Sequence, residues 1–468
     1  MSVMGGWLAP HPPLIFPEVG RGKQNEITAT IAAFKSASME IAAMTPETIV
    51  IISPHSVIYA DYFHISPGDG AEGDMRSFGV SGVKTPVSYD SEFVEALSRI
   101  CEEEGFPAGT LGERDRALDH GTSIPARFIN EAFAANGACL PKYVRSGVAG
   151  LTFADHYRFG KLIAETANKL SRKIVVIASG DLSHKLLDDG PYGYAHEGPE
   201  FDKHICDIAA DADFSPLFEM EESFLEKAAE CGHRPIIVMA GALDRLSVRP
   251  TLYSYEGPFG VGYGLASFIV SGEDDSRAFL DNYLNRCKED AVARTQVESP
   301  HVALARLTVE NYVKTGRLYK NRELLPDSLT SGRAGVFVSI KKHGKLRGCI
   351  GTISPTTDSV GEEIRANAVS AATRDPRFFA IEEGELPYLE YSVDVLSPAE
   401  PIENAEGLDP GRYGVIVSFG EKRGLLLPDL EGIEDTETQI KIAMQKAGIA
   451  ETDRPQVKLE RFEVIRYK

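Results

Sequence analysis

Four segments of this chain carry a histidine just past a short apolar or turn-forming run: Ala9-Pro10-His11, Ile52-Ser53-Pro54-His55, Leu118-Asp119-His120-Gly121-Thr122 and Gly180-Asp181-Leu182-Ser183-His184. Three of them follow β-type stretches, Val3–Ala9, Thr48–Ser53 and Lys173–Ser179, each stopped by Pro or Gly. Beyond the carboxyl ends of the strands is where an open α/β sheet binds its ligands. The pattern therefore predicts a sheet whose edge gathers imidazoles into one metal-centred site.

The intervening segments fit that sheet. Gln24–Met44 has apolar residues at helical spacing and leads into Thr48–Ser53, a β-α-β unit; after a Gly-rich stretch at Gly68–Gly82 come helices near Ser91–Glu104 and Ile124–Ala135, with His120 in the loop before the second. Strand-like Val148–Phe153, helix Tyr157–Ser171 and strand Lys173–Ser179 repeat the alternation, helices follow near Met220–Glu230 and Arg234–Leu246, and Tyr263–Val270 closes the set. The expected fold is α/β, a mostly parallel or mixed sheet flanked by helices. The polar run Ser271–Ser276 marks a break, giving domains at 1–272 and 277–468. The second half reads as a separate α+β domain, with strands at Gly335–Ile340, Leu346–Ile350, Tyr391–Leu396, Gly414–Ser418 and Arg423–Leu427 and helices near Val360–Thr373 and Thr436–Ala447.

Composition removes several classes. With 49 basic against 69 acidic residues in 468, the net charge of -20 disfavours nucleic acid and anionic membrane as partners. No segment reaches the ~20 apolar residues of a membrane span. The first basic residue is Arg21, and prolines interrupt the apolar start, so no signal peptide is expected. Six cysteines without C-x-x-C spacing point to a reducing, cytoplasmic compartment. A homo-oligomer is the expected assembly.

A histidine taken alone after a strand is most often structural; three placed alike carry more weight. Neutral imidazoles suit first-row metals, and two of them with one anion leave coordination positions open. The ordered set Pro10-His11, Pro54-His55, Asp119-His120-Gly121-Thr122 and Asp181-Leu182-Ser183-His184 resembles the class III extradiol ring-cleavage dioxygenases, the LigB-like proteins, over residues 1–272. The resemblance implies that His11 and His55 hold Fe(II) with a later carboxylate, that His184 is the acid–base residue, and that His120 lines the pocket of a small aromatic substrate cleaved with O2. Zn or Cu are the other metals considered. Asp181 either orients the His184 ring or caps the following turn, the second being the preferred reading.

The third ligand has two readings, both in Ala229-Glu230-Cys231-Gly232-His233-Arg234-Pro235. Glu230 would complete a two-histidine, one-carboxylate site; Cys231-Gly232 before Arg-Pro-Ile resembles the Memo proteins, a related branch in which a cysteine takes that place. A thiolate is softer and changes redox preference. His233 and Glu256 are further candidates. The alternatives to ring cleavage are a Memo-like metal-binding or redox protein working with a radical-SAM partner, and a non-enzymatic adaptor; zinc hydrolysis lacks a His-Glu-x-x-His motif.

From about Leu280 the chain resembles the AMMECR1 domain, through Leu346-Arg347-Gly348-Cys349-Ile350-Gly351-Thr352 and Arg374-Asp375-Pro376-Arg377-Phe378. Two readings stand for this corner: a reactive thiol or anion pocket formed by Cys349 with Arg347, Arg374 and Arg377, or a tight strand turn in which Cys349 is packed, the second preferred.

Overall fold

The structure, a computed structural model, describes residues 2–319, 326–342, 344–430 and 432–468. The chain divides into two compact units, 1–283 and 284–468, the division falling inside the helix Phe279–Val297 beyond the Ser271–Ser276 run.

The first unit is built on a six-stranded sheet. Its strands are β1 (Val3–Ala9), β2 (Thr48–Ser53), β3 (Lys142–Gly147), β4 (Ile174–Ser179), β5 (Leu246–Glu256) and β6 (Tyr263–Glu273), in the spatial order β3-β2-β4-β1-β6-β5. The first four are parallel, and β6 and β5 add an antiparallel hairpin beside β1. Every residue of β2 and β4 is buried, as a sheet covered on both faces requires. Helices α1 (Thr28–Met44) and α3 (His120–Ala135) cover one face around Phe34, Ile41, Phe128 and Ile129. Helices α4 (Phe153–Lys169) and α6 (His233–Ala242) pack together on the other, with α2 (Ser91–Glu103) against α4 and α5 (Glu197–Asp211) against β5. Because β4 lies between β1 and β2, the loops after these three strands emerge side by side.

Three strand positions differ from the sequence expectation, the first being β5, Leu246–Glu256, where no strand was expected. The parallel edge strand is Lys142–Gly147, not Val148–Phe153, because Arg145 and Ser146 are buried polar residues that hide its apolar pattern. Thr152 instead caps α4 in a capping box with Asp155. The Gly-rich stretch forms the hairpin Gly70–Met75/Val80–Ser88, in which Val83, Thr85 and Val87 alternate inward. Among the described residues no helix is long and apolar enough to cross a membrane.

The second unit is α+β. One antiparallel sheet pairs the strands Lys345–Gly351, Val336–Lys342, Leu389–Leu396 and Val464–Tyr467 in that order, with the helices Pro300–Thr315 and Val360–Thr373 packed against its members. A second sheet pairs Glu400–Ile402, Lys458–Phe462, Gly414–Phe419 and Lys422–Leu426, and the helix Thr436–Ala447 packs against its last two strands.

Candidate metal centre

The loops after β1, β2 and β4 bring their histidines together. His11 is buried and His55 exposed, with their Nε2 atoms 3.0 Å apart. The Sγ of Cys231, from the turn before α6, lies 3.6 Å from His11 Nε2. The donor atoms of His11, His55 and Cys231 all fall within 4.8 Å of one another.

The surroundings prepare these donors. Ser179 Oγ donates to the carbonyl of Gly121 at 2.5 Å, so toward His11 Nδ1, 3.0 Å away, it acts as acceptor. This assigns the proton of His11 to Nδ1 and leaves the Nε2 lone pair facing His55 and Cys231. Burial, with His55 adding to it, pushes the His11 pKa down to about 3, so the ring is neutral at physiological pH. Loss of hydration where its ring faces His11 and His120 lowers His55 as well, partly offset by Asp119 and Asp181. The Cys231 thiol is raised well above its ordinary value, by burial and then by the nearby Asp181 and Glu230. A metal cation reverses that balance, since a coordinating thiol is deprotonated outright. Two neutral imidazoles and a thiol with converging lone pairs fit a borderline-soft first-row ion.

Close backbone approach makes the arrangement possible. A Cβ at Gly180 would stand 2.2 Å from Gly232 Cα, so only glycine lets the turn after β4 meet the turn carrying Cys231. The N–H of Asp181 points at Cys231 Sγ at 3.3 Å. Asp181 itself neither caps the following turn nor hydrogen-bonds the His184 ring: its Oδ1 accepts the backbone N–H of His11 at 2.7 Å and ties the end of β1 to β4. Burial raises its pKa to about 6.

Glu230 is adjacent in sequence and absent from the donor group. Its carboxylate turns back to accept the N–H of His233 at 2.6 Å, closing the start of α6, and burial raises its pKa to about 7. The reason is local: Ala229 ends the preceding helix in the left-handed region at φ 52°, and in the turn beyond it the Glu230 carboxylate is held at the start of α6 while Cys231 Sγ faces His11. His233 packs on Phe153 with Nε2 3.0 Å from the Leu217 carbonyl, and Glu256 accepts both the N–H and the hydroxyl of Thr30 in the first turn of α1. Neither points to the cluster.

His120 and His184 flank it. His120 is the first residue of α3 rather than part of a loop, because Asp119 caps that helix through the Thr122 N–H. Its ring stacks on His55, centroids 4.3 Å apart, and burial pushes its pKa down to about 3. His184 Nε2 lies 3.9 Å from Cys231 Sγ, and its pKa is lowered by burial against an opposing pull from Asp181.

Several contributing residues carried no motif. Asp202, on the helix Glu197–Asp211, accepts the Ser183 N–H and the Tyr255 hydroxyl, both at 2.7 Å, and so holds the turn that presents His184. Burial would raise Asp119, but buried Arg145, 3.4 Å away, and the hydroxyls of Ser53 and Thr122 keep its pKa below the ordinary value. Tyr192, a residue 59% exposed, stacks on His184 at 5.2 Å. Next to the cluster is a cavity of about 710 Å³ lined by His55, His120, Phe78 and Arg145 among others, within the size range of small-molecule sites.

In the second unit Arg347 and Arg377 are already partnered. Arg347 makes a two-pronged bond to Glu385 and reaches the carbonyls of Phe379 and Ala380. Arg377 does the same to Asp375, which also accepts the Cys349 N–H at 2.9 Å. Arg374 is exposed. Cys349 is half-buried and receives the Ser339 hydroxyl at 3.2 Å. Gly348 is required for packing, since a Cβ there would meet the Ala371 carbonyl at 2.2 Å. These residues form a closed turn rather than an anion pocket.

A family model described as the catalytic LigB subunit of aromatic ring-opening dioxygenase matches residues 5–266, and one described as AMMECR1 matches residues 302–467. A protein of Clostridium acetobutylicum is 37% identical over the full length of both chains. A protein of Thermotoga maritima is 49% identical over 36% of this chain and 98% of its own. Two solved structures are similar: an uncharacterized protein from Pyrococcus horikoshii, 32% identical with a TM-score of 0.34 over 36% of this chain and 88% of its own, and one from Escherichia coli K12, 14% identical with a TM-score of 0.39 over 57% and 99%.

Proposed function

The chain belongs to the family of the catalytic LigB subunit of aromatic ring-opening dioxygenases, with an AMMECR1 domain behind it, and from that premise we propose that its first unit is a metal-dependent oxidoreductase domain acting on a small catechol-like aromatic. The observation that carries this reading is the convergence of His11, His55 and Cys231 donors within 4.8 Å beside a cavity of small-molecule size. Those three residues would hold the ion, with ferrous iron the first candidate and copper or zinc the others. A bound ion there supplies Lewis acidity and, if iron or copper, electron transfer.

The chain's own residues divide the remaining work. His184, neutral because it is buried, accepts a proton from a substrate hydroxyl at Nε2 and returns it to the departing product. Asp181 lies near enough to favour the protonated ring in between. His120 and Phe78, whose rings meet edge-on at 5.2 Å, form an aromatic wall of the cavity. Tyr192 covers the outer face of His184 and limits water there.

A second reading follows from the thiol. Cys231 in place of a carboxylate favours the Memo-like branch, in which this unit is a metal-binding or redox protein working with a radical-SAM partner. One experiment separates the two: anaerobic loading with Fe(II), then oxygen uptake and ring-cleavage absorbance over a panel of catechols. Oxygen consumption with a yellow product supports the oxidoreductase reading. Full iron loading with no oxygen consumed on any catechol contradicts it and leaves the Memo-like reading.

A further inference from the structure

The start of α3 touches three imidazoles of the cluster, and one carboxylate there ties two of them together. Asp119, which caps the helix, accepts the Thr122 N–H on Oδ1 and the Thr122 hydroxyl on Oδ2, both at 2.9 Å. Its Oδ1 also accepts the Ser53 hydroxyl at 2.5 Å, and that Ser53 Oγ in turn accepts the backbone N–H of His55 at 3.2 Å. The carboxylate therefore joins the end of β2, which leads to His55, to the first residue of α3, which is His120. His11 is reached through the same turn: Ser179 Oγ, the acceptor for His11 Nδ1, donates to the Gly121 carbonyl. A Cβ at Gly121 would stand 2.5 Å from Ser53 Oγ and 3.2 Å from His11 Nδ1, so the turn lies directly against both.

Arg145, from the adjacent strand β3, holds this carboxylate from behind. Its Nη2 is 3.4 Å from Asp119 Oδ2, with side-chain exposures of 2% and 10%. Its Nη1 reaches the Asp115 carbonyl only at 3.5 Å, and its Nε has no hydrogen-bond partner among the described residues. A buried ion pair recovers its desolvation cost only when its remaining donors are satisfied, so stability is a weak reason for this one. What the pair does achieve is to fix Asp119.

We propose that Asp119 is a positioning residue of the metal centre: through Ser53 it sets the His55 backbone and through the helix cap it sets His120, with Arg145 holding it in place. The inference rests on the metal-binding reading given above and is independent of the substrate.

Loading the full chain with Co(II) tests it, with affinity read by equilibrium dialysis and coordination geometry by the visible absorption bands. Ser53→Ala cuts the link and leaves the cap; it should lower Co(II) affinity about ten-fold or more and alter the bands, with the unfolding midpoint of the metal-free chain near that of the parent. Asp119→Asn keeps an acceptor for Ser53 and for the Thr122 N–H but strands Arg145. It should show the converse, parent-like bands and affinity within about two-fold, with a lowered midpoint. Parent-like affinity and bands in Ser53→Ala would overturn the proposal. So would a loss of affinity in Asp119→Asn as large as in Ser53→Ala, which would assign the effect to charge rather than to position. A parent chain that takes up no Co(II) overturns the metal-binding reading and this inference together, whereas binding that both variants leave untouched overturns this inference alone.

Discussion

Two corners of this molecule, the histidine cluster and the Arg-Gly-Cys-Ile-Gly turn, each set a cysteine among titratable side chains and end in opposite states. At Arg347-Gly348-Cys349 the buried charges meet opposite ones, Arg347 on Glu385 and Arg377 on Asp375, and Asp375 also accepts the Cys349 N–H. At His11, His55 and Cys231 the donors face one another, and burial holds the histidines neutral and the thiol protonated. The first arrangement satisfies itself and holds a fold together. The second would be completed by the cation we propose, which would turn mutual crowding of lone pairs into coordination.

The comparison can be broken most forcefully at the backbone of the metal site. Gly180→Ala should separate the two turns, displace Cys231 and lower metal affinity more than about ten-fold, read by equilibrium dialysis of the folded variant. Metal binding unchanged from the parent chain would mean that the close approach to Gly232 is not needed. His55→Ala, at an exposed position, should abolish stoichiometric metal while leaving the thermal unfolding midpoint near that of the parent; retained stoichiometric metal would remove His55 from the centre.

Smaller effects sharpen the other side. Glu385→Ala strands Arg347 and should cost the second unit about 2 kcal/mol, the scale of hydrogen bonds to a charged group, in chemical denaturation; an unchanged midpoint would mean that the turn is not held by this pair. Burial would raise the Glu385 pKa, but Arg347, the Glu382 N–H and Lys342 hold it down to about 2. A carboxylate depressed in the folded state contributes its full stability above its unfolded pKa of about 4.3 and loses it as pH falls toward 2. Acid titration of the second unit should therefore show a loss of stability in that window that Glu385→Gln flattens. The smallest effect concerns Cys349: alkylation at neutral pH should be no faster than at the other half-buried cysteines, and a selectively fast reaction would restore an activated thiol.

Strand ends and the gathering of His11, His55 and His184 were legible in the sequence because apolar runs stopped by Pro or Gly leave little freedom in where the next residue lies. The choice between Glu230 and Cys231 was not, because it turns on the Glu230 carboxylate closing the start of α6 and leaving Cys231 to face His11, which no local pattern announces. The edge strand Lys142–Gly147 was hidden by Arg145, whose burial beside Asp119 is a tertiary fact. Asp202 and Ser179 hold the turns from a distant helix and from a strand end, and no local pattern marks such residues. The Arg347 and Arg377 pairings were equally invisible, since Glu385 lies far along the chain and Asp375 reads as an ordinary turn residue.

The central claim, that this unit holds its ion with a thiol rather than a carboxylate as the third donor, is tested most directly by metal content after reconstitution of the parent chain, Cys231→Ala and Glu230→Ala. Loss of stoichiometric metal in Cys231→Ala with retention in Glu230→Ala is the expected result. Retention in Cys231→Ala, with or without loss in Glu230→Ala, would contradict it.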